Sequence, residues 1–385
     1  MTNQGIPKGA LVAISDLLDQ CARIQPGQEV LLLAQIDGLY GGDNFVDREA
    51  ISWIQSAIQY RGANPSVLWI DEPAKLHAWR FPPVVKGAMS GCDLMINHSF
   101  DLTFEEVIEF KRFTWDAKKL MVRNFATTSS LLCTAWAQTP YELVSEIRYQ
   151  SALPIKEGLD WKLTDPNGTC LEGKVLSAFN PTHPWFTTYS VRREELGYYR
   201  PWPEWVHPPI RLAETSGILV FDCMLSWWSR YIGISPYFNK PIRITVDNGK
   251  MTKIEGGDEA EALKRFLEMM RGRLGDAMYD FNALHFGVHP QARVGEHQCP
   301  NILHRRIIEH SDCHNVHFHI GVPETWEGYP YMVHITGDVR TPTFKVGDSL
   351  IHDKGHLVVL DHPAVRAIAA KYPGRPGLDA EPLQY

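Results

Sequence analysis

The sequence predicts an α/β N-terminal domain, a parallel sheet of βαβ units over residues 1–152, and then an α+β domain of mostly antiparallel strands over residues 153–385 that carries a metal site. Three observations lead there. Helical and strand patterns alternate over the first 150 residues, short strands and Asn-Gly hairpins replace them from about residue 155, and twelve of the sixteen histidines fall between His285 and His362. Residues two apart on a strand share a face, and imidazole is a common ligand for borderline metals. His317 and His319 in NVHFHIG are such a pair.

Each element has its own signal. Leu11, Ile14, Leu17, Leu18 and Cys21 recur at helical spacing, and Pro26-Gly27 stops that helix. The apolar run EVLLLAQI suits a strand buried on both faces. A second helix carries Ile51, Ile54 and Ile58, and GANP breaks it before the strand SVLWID. CDLMIN and KKLMVRN read as further strands, so the series is βαβ with helices on both faces. DGLYGGDNF after the first strand is not G-x-G-x-x-G, and no phosphate-binding G-x-x-x-x-G-K-[ST] exists, so a structural or substrate-capping role is expected for this half.

Beyond residue 155, LTDPNGTCLEGKV and ITVDNGKMTKIEGG place Asn-Gly between extended segments, a strong hairpin signal. The amphipathic helix DEAEALKRFLEMMRGRL follows, then strands around FNALHF, NVHFHIG, YMVHIT and FKVGDSLI. The aromatic and proline-rich stretch from Trp185 to Trp205 has no clear period and reads as a cavity wall, a dimer arm or the packing of a long connection.

The charge balance, 38 Lys plus Arg against 45 Asp plus Glu, contains no basic run, which argues against a nucleic-acid partner. No apolar stretch approaches the roughly 20 residues that span a bilayer, and the N-terminus lacks a signal-peptide pattern, so a cytoplasmic protein is expected. Seven cysteines without a C-x-x-C read as reduced core or near-site thiols.

The order of GQEVLLLAQ, QYRGANPSVLWID, TDPNGTCLEGKV, SGILVFDC, VDNGKMTKIEGGDEAEAL, NALHFGVHP, NVHFHIG, MVHITGD and VGDSLIHDKGHL resembles the metallo-aminopeptidase superfamily first known from thermophiles. Within it, the nearest branch is the 2,5-dihydroxypyridine 5,6-dioxygenases of nicotinate and nicotine breakdown. In the peptidases a glutamate bridging two metals stands where this chain has Ala283, and in the dioxygenases a histidine binding one iron stands there. His285, on the same strand face as Ala283, is the available replacement. The resemblance further implies Glu309 for a second peptidase glutamate, His317 for a ligand, and His334 for the first residue of a His-x-Asp motif. Thr336 replaces the aspartate of that motif, with Asp338 nearby.

These departures favour one metal, because two cations about 3.5–4 Å apart need bridging carboxylates to offset their repulsion. His285, His334 and one or both of His317 and His319 are the expected ligands, with Glu309 as a residual ligand, an orienting group or an acid/base. Fe(II) is the expected metal, with Mn and Zn left open. A histidine-rich site keeps the metal's charge and favours an anionic, chelating hydroxy-aromatic substrate together with dioxygen. The expected function is ring opening of a hydroxylated heteroaromatic such as a dihydroxypyridine by a homodimer or larger oligomer. The alternatives are a metal-dependent hydrolase, peptidase-like or acting on a cyclic amide, and a metal-free binding protein. His352, His356 and His362 are read as facing solvent, and His98 as a loop histidine or a proton shuttle in an interdomain cleft.

Overall fold

Five parallel strands form the first sheet: β1 (Glu29–Gln35), β2 (Asn64–Ile70), β3 (Leu94–His98), β4 (Leu120–Arg123) and β7 (Tyr199–Pro201), in the order β2-β1-β3-β4-β7. The computed structural model describes residues 5–35, 46–70, 81–99, 108–124, 127–177, 194, 197–203, 210–225, 228–229, 232–293, 308–322 and 333–379. The side chains of Ile108, Lys111, Ser177, Val322, Val333 and His334 lie outside that description. So do DGLYGGDNF, Cys299 and most of the aromatic stretch, although Tyr199 and Trp202 within it are buried in this chain.

β1 is buried from Val30 to Gln35 because it is central, with β2 and β3 on its two sides. The helix Arg48–Tyr60 buries Ile51, Ile54 and Ile58 as its spacing requires. Its N-cap Asp47 accepts from Ala50 N at 2.6 Å and, through its other oxygen, from Ser129 N at 2.6 Å, so one carboxylate caps a helix and ties a distant segment to it. The first helix departs from expectation. It runs as α-helix over Lys8–Ser15 and as π-helix over Asp16–Ala22, which rotates later residues relative to earlier ones. Ile14, Leu17, Leu18 and Cys21 are buried together with Ala10 and Ala13, while Leu11 is exposed.

The second sheet is antiparallel, with the path β13-β12-β11-β8-β6-β5-β14-β15-β16 among the described residues. Its strands are β5 (Asp160–Thr164), β6 (Cys170–Ser177), β8 (Ile210–Cys223), β9 (Tyr237–Asp247), β10 (Lys250–Glu255), β11 (Phe281–Phe286), β12 (Asn315–Val322), β13 (Val333–Arg340), β14 (Thr343–Val346), β15 (Ser349–Asp353) and β16 (His356–Leu357). Both Asn-Gly sites turn hairpins, β5–β6 and β9–β10. In the second, Asn248 and Gly249 both have positive φ, 45° and 80°, as a two-residue hairpin turn requires. The long strand β8 pairs with β6, β9 and β11, and its register against β6 shifts around Glu214, where φ is 55°. The helix Asp258–Leu274 covers β9 and β10.

The C-terminal segment stitches the two halves. Arg375 reaches Asp16 at 3.2 Å and the Gln138 carbonyl at 3.0 Å, Lys371 pairs with Glu142 at 2.9 Å, and Gln291 donates to the Gly377 carbonyl at 2.7 Å. No helix among the described residues is long and apolar enough to cross a membrane.

Two histidine assignments need correction. His352 is wholly buried, because β15 turns it inward against Phe286, and its Nε2 lies 3.1 Å from the Cys313 carbonyl. His98 ends β3 rather than lying in a loop and is wholly buried, its Nδ1 2.8 Å from Thr127 Oγ1. His356 is exposed, as expected, beside Asp361, and the exposed His362 caps the helix Pro363–Ala369. Burial lowers the pKa of His98, His289 and His352 to about 3 each, so these rings are neutral near neutral pH.

Below the ordinary imidazole value of about 6.5 the unfolded chain takes up protons that the folded chain refuses. Stability is therefore complete above that pH and falls as pH drops, by up to about 1.4 kcal/mol per pH unit for each such histidine. The melting temperature should decline steadily from pH 7 to pH 5, and His352→Phe should make the decline shallower. A flat profile in the native chain would show that these rings meet solvent.

Candidate metal centre

The register of three antiparallel strands assembles the centre. β11 pairs with β12 so that His285 stands opposite His317, and β12 pairs with β13 so that His317 stands opposite Asp338. The neighbouring row is Ala283, His319 and Thr336, and the next sets Gly321 opposite His334. Directly opposed residues in an antiparallel pair point to the same face with Cβ atoms about 4.5–5.5 Å apart. His285, His317, His319 and Asp338 thus share one face, and Phe318 points to the other, where it packs on Phe221 and Phe281.

His285, His317 and His319 are all buried, at 1%, 0% and 6% exposure. The Nε2 atoms of His285 and His319 face each other at 2.6 Å, a separation at which at most one of them carries a proton. The His285 ring centroid lies 4.9 Å from that of His317 and 4.4 Å from that of His319. His317 Nδ1 lies in hydrogen-bond contact with Asp338 Oδ1, and with the proton on Nδ1 the lone pair of an imidazole is on Nε2. That Nε2 is buried without a hydrogen-bond partner. A carboxylate on one imidazole nitrogen with the other left open is how proteins orient a metal-binding histidine. The backbone of His334 lies on this face, but its side chain is outside the described residues.

The sequence reading missed His310. It sits one residue after Glu309 on the short turn at 308–311, with its ring centroid 4.8 Å from His285 and 5.6 Å from His317. The only signal for it was its place in the histidine-dense stretch, since no strand alternation extends to it. Glu309 accepts a hydrogen bond from Tyr237 Oη at 3.1 Å. Gly287 makes this arrangement possible. A Cβ there would stand 2.0 Å from the Ser311 carbonyl carbon, and His289 N donates to Ser311 O at 3.0 Å, so the turn bearing Glu309 and His310 lies directly on the end of β11.

Cys223 on β8 is also buried, with its thiol 3.8 Å from Asp338 Oδ2. Burial, reinforced by that carboxylate, pushes its pKa well above the usual thiol value, so it is a neutral S–H donor rather than a thiolate.

Among the described residues, Asp312, Cys313 and His314 place three potential ligand atoms within 4.8 Å of one another. Their protons are against them. Asp312 Oδ1 accepts from His314 N at 2.9 Å and from His314 Nδ1 at 2.7 Å, and its Oδ2 accepts from Asn315 at 3.2 Å. The hydrogen bond to Asp312, then that to Cys313, raises the His314 pKa to about 10, while burial raises that of Cys313. A metal there would have to displace both protons, whereas His317 already presents Nε2 without a hydrogen-bond partner.

Fold and site together define a protein of two sheets, one parallel and one antiparallel, with a buried histidine cluster on the antiparallel one. Among solved structures, 2,5-dihydroxypyridine dioxygenase from Pseudomonas putida superposes with a TM-score of 0.66 over 92% of this chain and 98% of that one, at 15% identity. At that identity the likeness is one of fold. No protein-family profile and no curated protein sequence matches the chain.

Because backbone atoms of Ser311 fill the space a side chain at position 287 would need, Gly287→Ala should destabilise the protein by several kcal/mol, in the range of overpacked core substitutions or beyond. Thermal melting checks this. A wild-type melting temperature would show that the 308–311 turn does not rest on β11.

Proposed function

We propose that this chain is a mononuclear non-haem Fe(II) dioxygenase that opens a hydroxylated heteroaromatic ring, a dihydroxypyridine or a close relative, and that it descends from the same superfamily as the thermophilic-type aminopeptidases. The observation that carries the reading is the buried row His285–His317–Asp338 with His319 beside it, on a fold shared with a dioxygenase. His285, His319 and His317 would hold the metal, with His334 and His310 available to complete or adjust the set. The donor set fits, since it offers buried imidazoles, one of them oriented by a carboxylate and with its other nitrogen unpartnered. Bound Fe(II) would supply a Lewis-acidic centre at which substrate and dioxygen meet.

The protein's own residues supply the rest. Asp338 keeps the His317 proton on Nδ1 and aims Nε2. Burial of the rings raises the strength of every charge interaction at the site, so an anionic ring oxygen is favoured over a neutral one. Glu309, held by Tyr237 and next to His310, is placed to take the proton that a ring hydroxyl loses on binding. Ala283, opposite His319, supplies no bridging carboxylate, which favours one metal over a two-metal hydrolase.

Two outcomes follow. Oxygen uptake should match loss of ring absorbance when hydroxylated pyridines and catechols are screened with Fe(II) in an oxygen electrode, at about one metal per chain. Metal-dependent turnover under argon would sink the dioxygenase reading in favour of a hydrolase. Asp338→Ala should weaken metal binding by about 10–100-fold in competition with a chromophoric chelator, and Asp338→Asn, which keeps an acceptor for Nδ1–H, by less. Unchanged affinity in Asp338→Ala would remove Asp338 from the centre.

A further inference from the structure

The buried row of His285, His317 and Asp338 extends by one more strand. β8 pairs with β9 as far as Cys223, which stands opposite Tyr237, and the chain then runs on along β13. Met224 bridges Gly337 in the antiparallel sense, and Leu225 N donates to the Thr336 carbonyl at 3.1 Å. Cys223 therefore stands opposite Asp338, on the side of β13 away from His317. A side-chain pair ties the same two strands, with Arg340 Nε 3.0 Å from Asp222 Oδ1.

Asp338 is 5% exposed, and a carboxylate so buried is costly unless its oxygens meet donors. Oδ1 meets His317 Nδ1, and Oδ2 meets the Cys223 thiol at 3.8 Å, so the carboxylate is clamped between an imidazole and a thiol. Burial first, and then the charge of Asp338, raise the Cys223 pKa, which keeps on sulfur the proton needed for donation. A thiol is a weak donor. It sets the direction of the carboxylate while leaving most of its negative charge to the His317 contact, where a hydroxyl would draw more of it away.

The other end of the row shows what this direction serves. His317 is wholly buried, and its Nε2 has no hydrogen-bond partner. With the proton on Nδ1, that Nε2 carries a lone pair within the histidine cluster, where the His285 ring centroid is 4.9 Å from its own. An imidazole released by its carboxylate can take the other tautomer, whose protonated Nε2 binds no metal.

We propose that Cys223 is a positioning residue of the metal centre: its thiol fixes Asp338 and, through Asp338, the tautomer and direction of His317. The assignment rests on the reading of the histidine row as a metal site. Cys223 is not a ligand in this arrangement and acts through the carboxylate.

Two measurements on the whole protein test this. In the metal-free state, NMR of the ring nitrogens reports which nitrogen of His317 carries the proton, with Asp338→Ala as the reference for a released ring. The native chain should show the Nδ1–H form, Cys223→Ala a measurable share of the Nε2–H form, and Cys223→Ser, which keeps a donor, the native state again. In competition with a chromophoric chelator for Zn(II), Cys223→Ala should bind several-fold more weakly than the native chain. That loss is smaller than the about 10–100-fold expected for Asp338→Ala, and Cys223→Ser should lie closer to native. Melting temperatures separate lost positioning from lost folding, and Cys223→Val, which fills the volume without a strong dipole, replaces Cys223→Ala should the latter fail to fold. A native tautomer and native affinity in the variant without a thiol would overturn the assignment. Equal losses in Cys223→Ser and Cys223→Ala would also overturn it, since the bulk of sulfur rather than its proton would then be the cause. Failure of the metal-site reading looks different: the native chain would hold no metal, while the His317 tautomer still depended on Cys223.

Discussion

The antiparallel register of β11, β12 and β13 is the constraint on which the rest of the centre depends. It sets His285 opposite His317 and His317 opposite Asp338, so three polar side chains that would each be costly to bury alone are buried together. A slip of one residue in either pairing would turn the histidines to the opposite face, into the space filled by Phe221, Phe281 and Phe318. The aromatic packing on one face and the polar row on the other therefore enforce the same register. Gly337 on β13 belongs to this arrangement, because a Cβ there would stand 2.4 Å from the Phe318 ring.

Around that row the protein separates buried histidines by what their nitrogens meet. His98, His289 and His352 are kept neutral by burial, and His314 is kept charged by Asp312. His317 has a carboxylate on one nitrogen and nothing on the other. The described histidines of that stretch thus divide into several physical kinds, and only the tertiary surroundings distinguish a ligand candidate from a core residue or a helix cap.

The stitching of the C-terminal segment to the first half, through Arg375 with Asp16 and Lys371 with Glu142, fixes the antiparallel sheet against the parallel one.

The sequence by itself determined the elements. Apolar runs marked the parallel strands, Asn-Gly pairs marked both hairpins, helical spacing marked Ile51, Ile54 and Ile58, and alternation put His317 and His319 on one face, all of them local properties of the chain. The π-helical geometry of Asp16–Ala22 is not encoded in side-chain spacing. Tertiary structure alone decided that Asp338 is the carboxylate bonded to His317, that His310 joins the cluster, and that His352 is buried. Each of these depends on which strands pair and in what register, and on how closely backbone can approach backbone at Gly287. Those are relations between residues distant in the chain, fixed by packing and not by any local pattern.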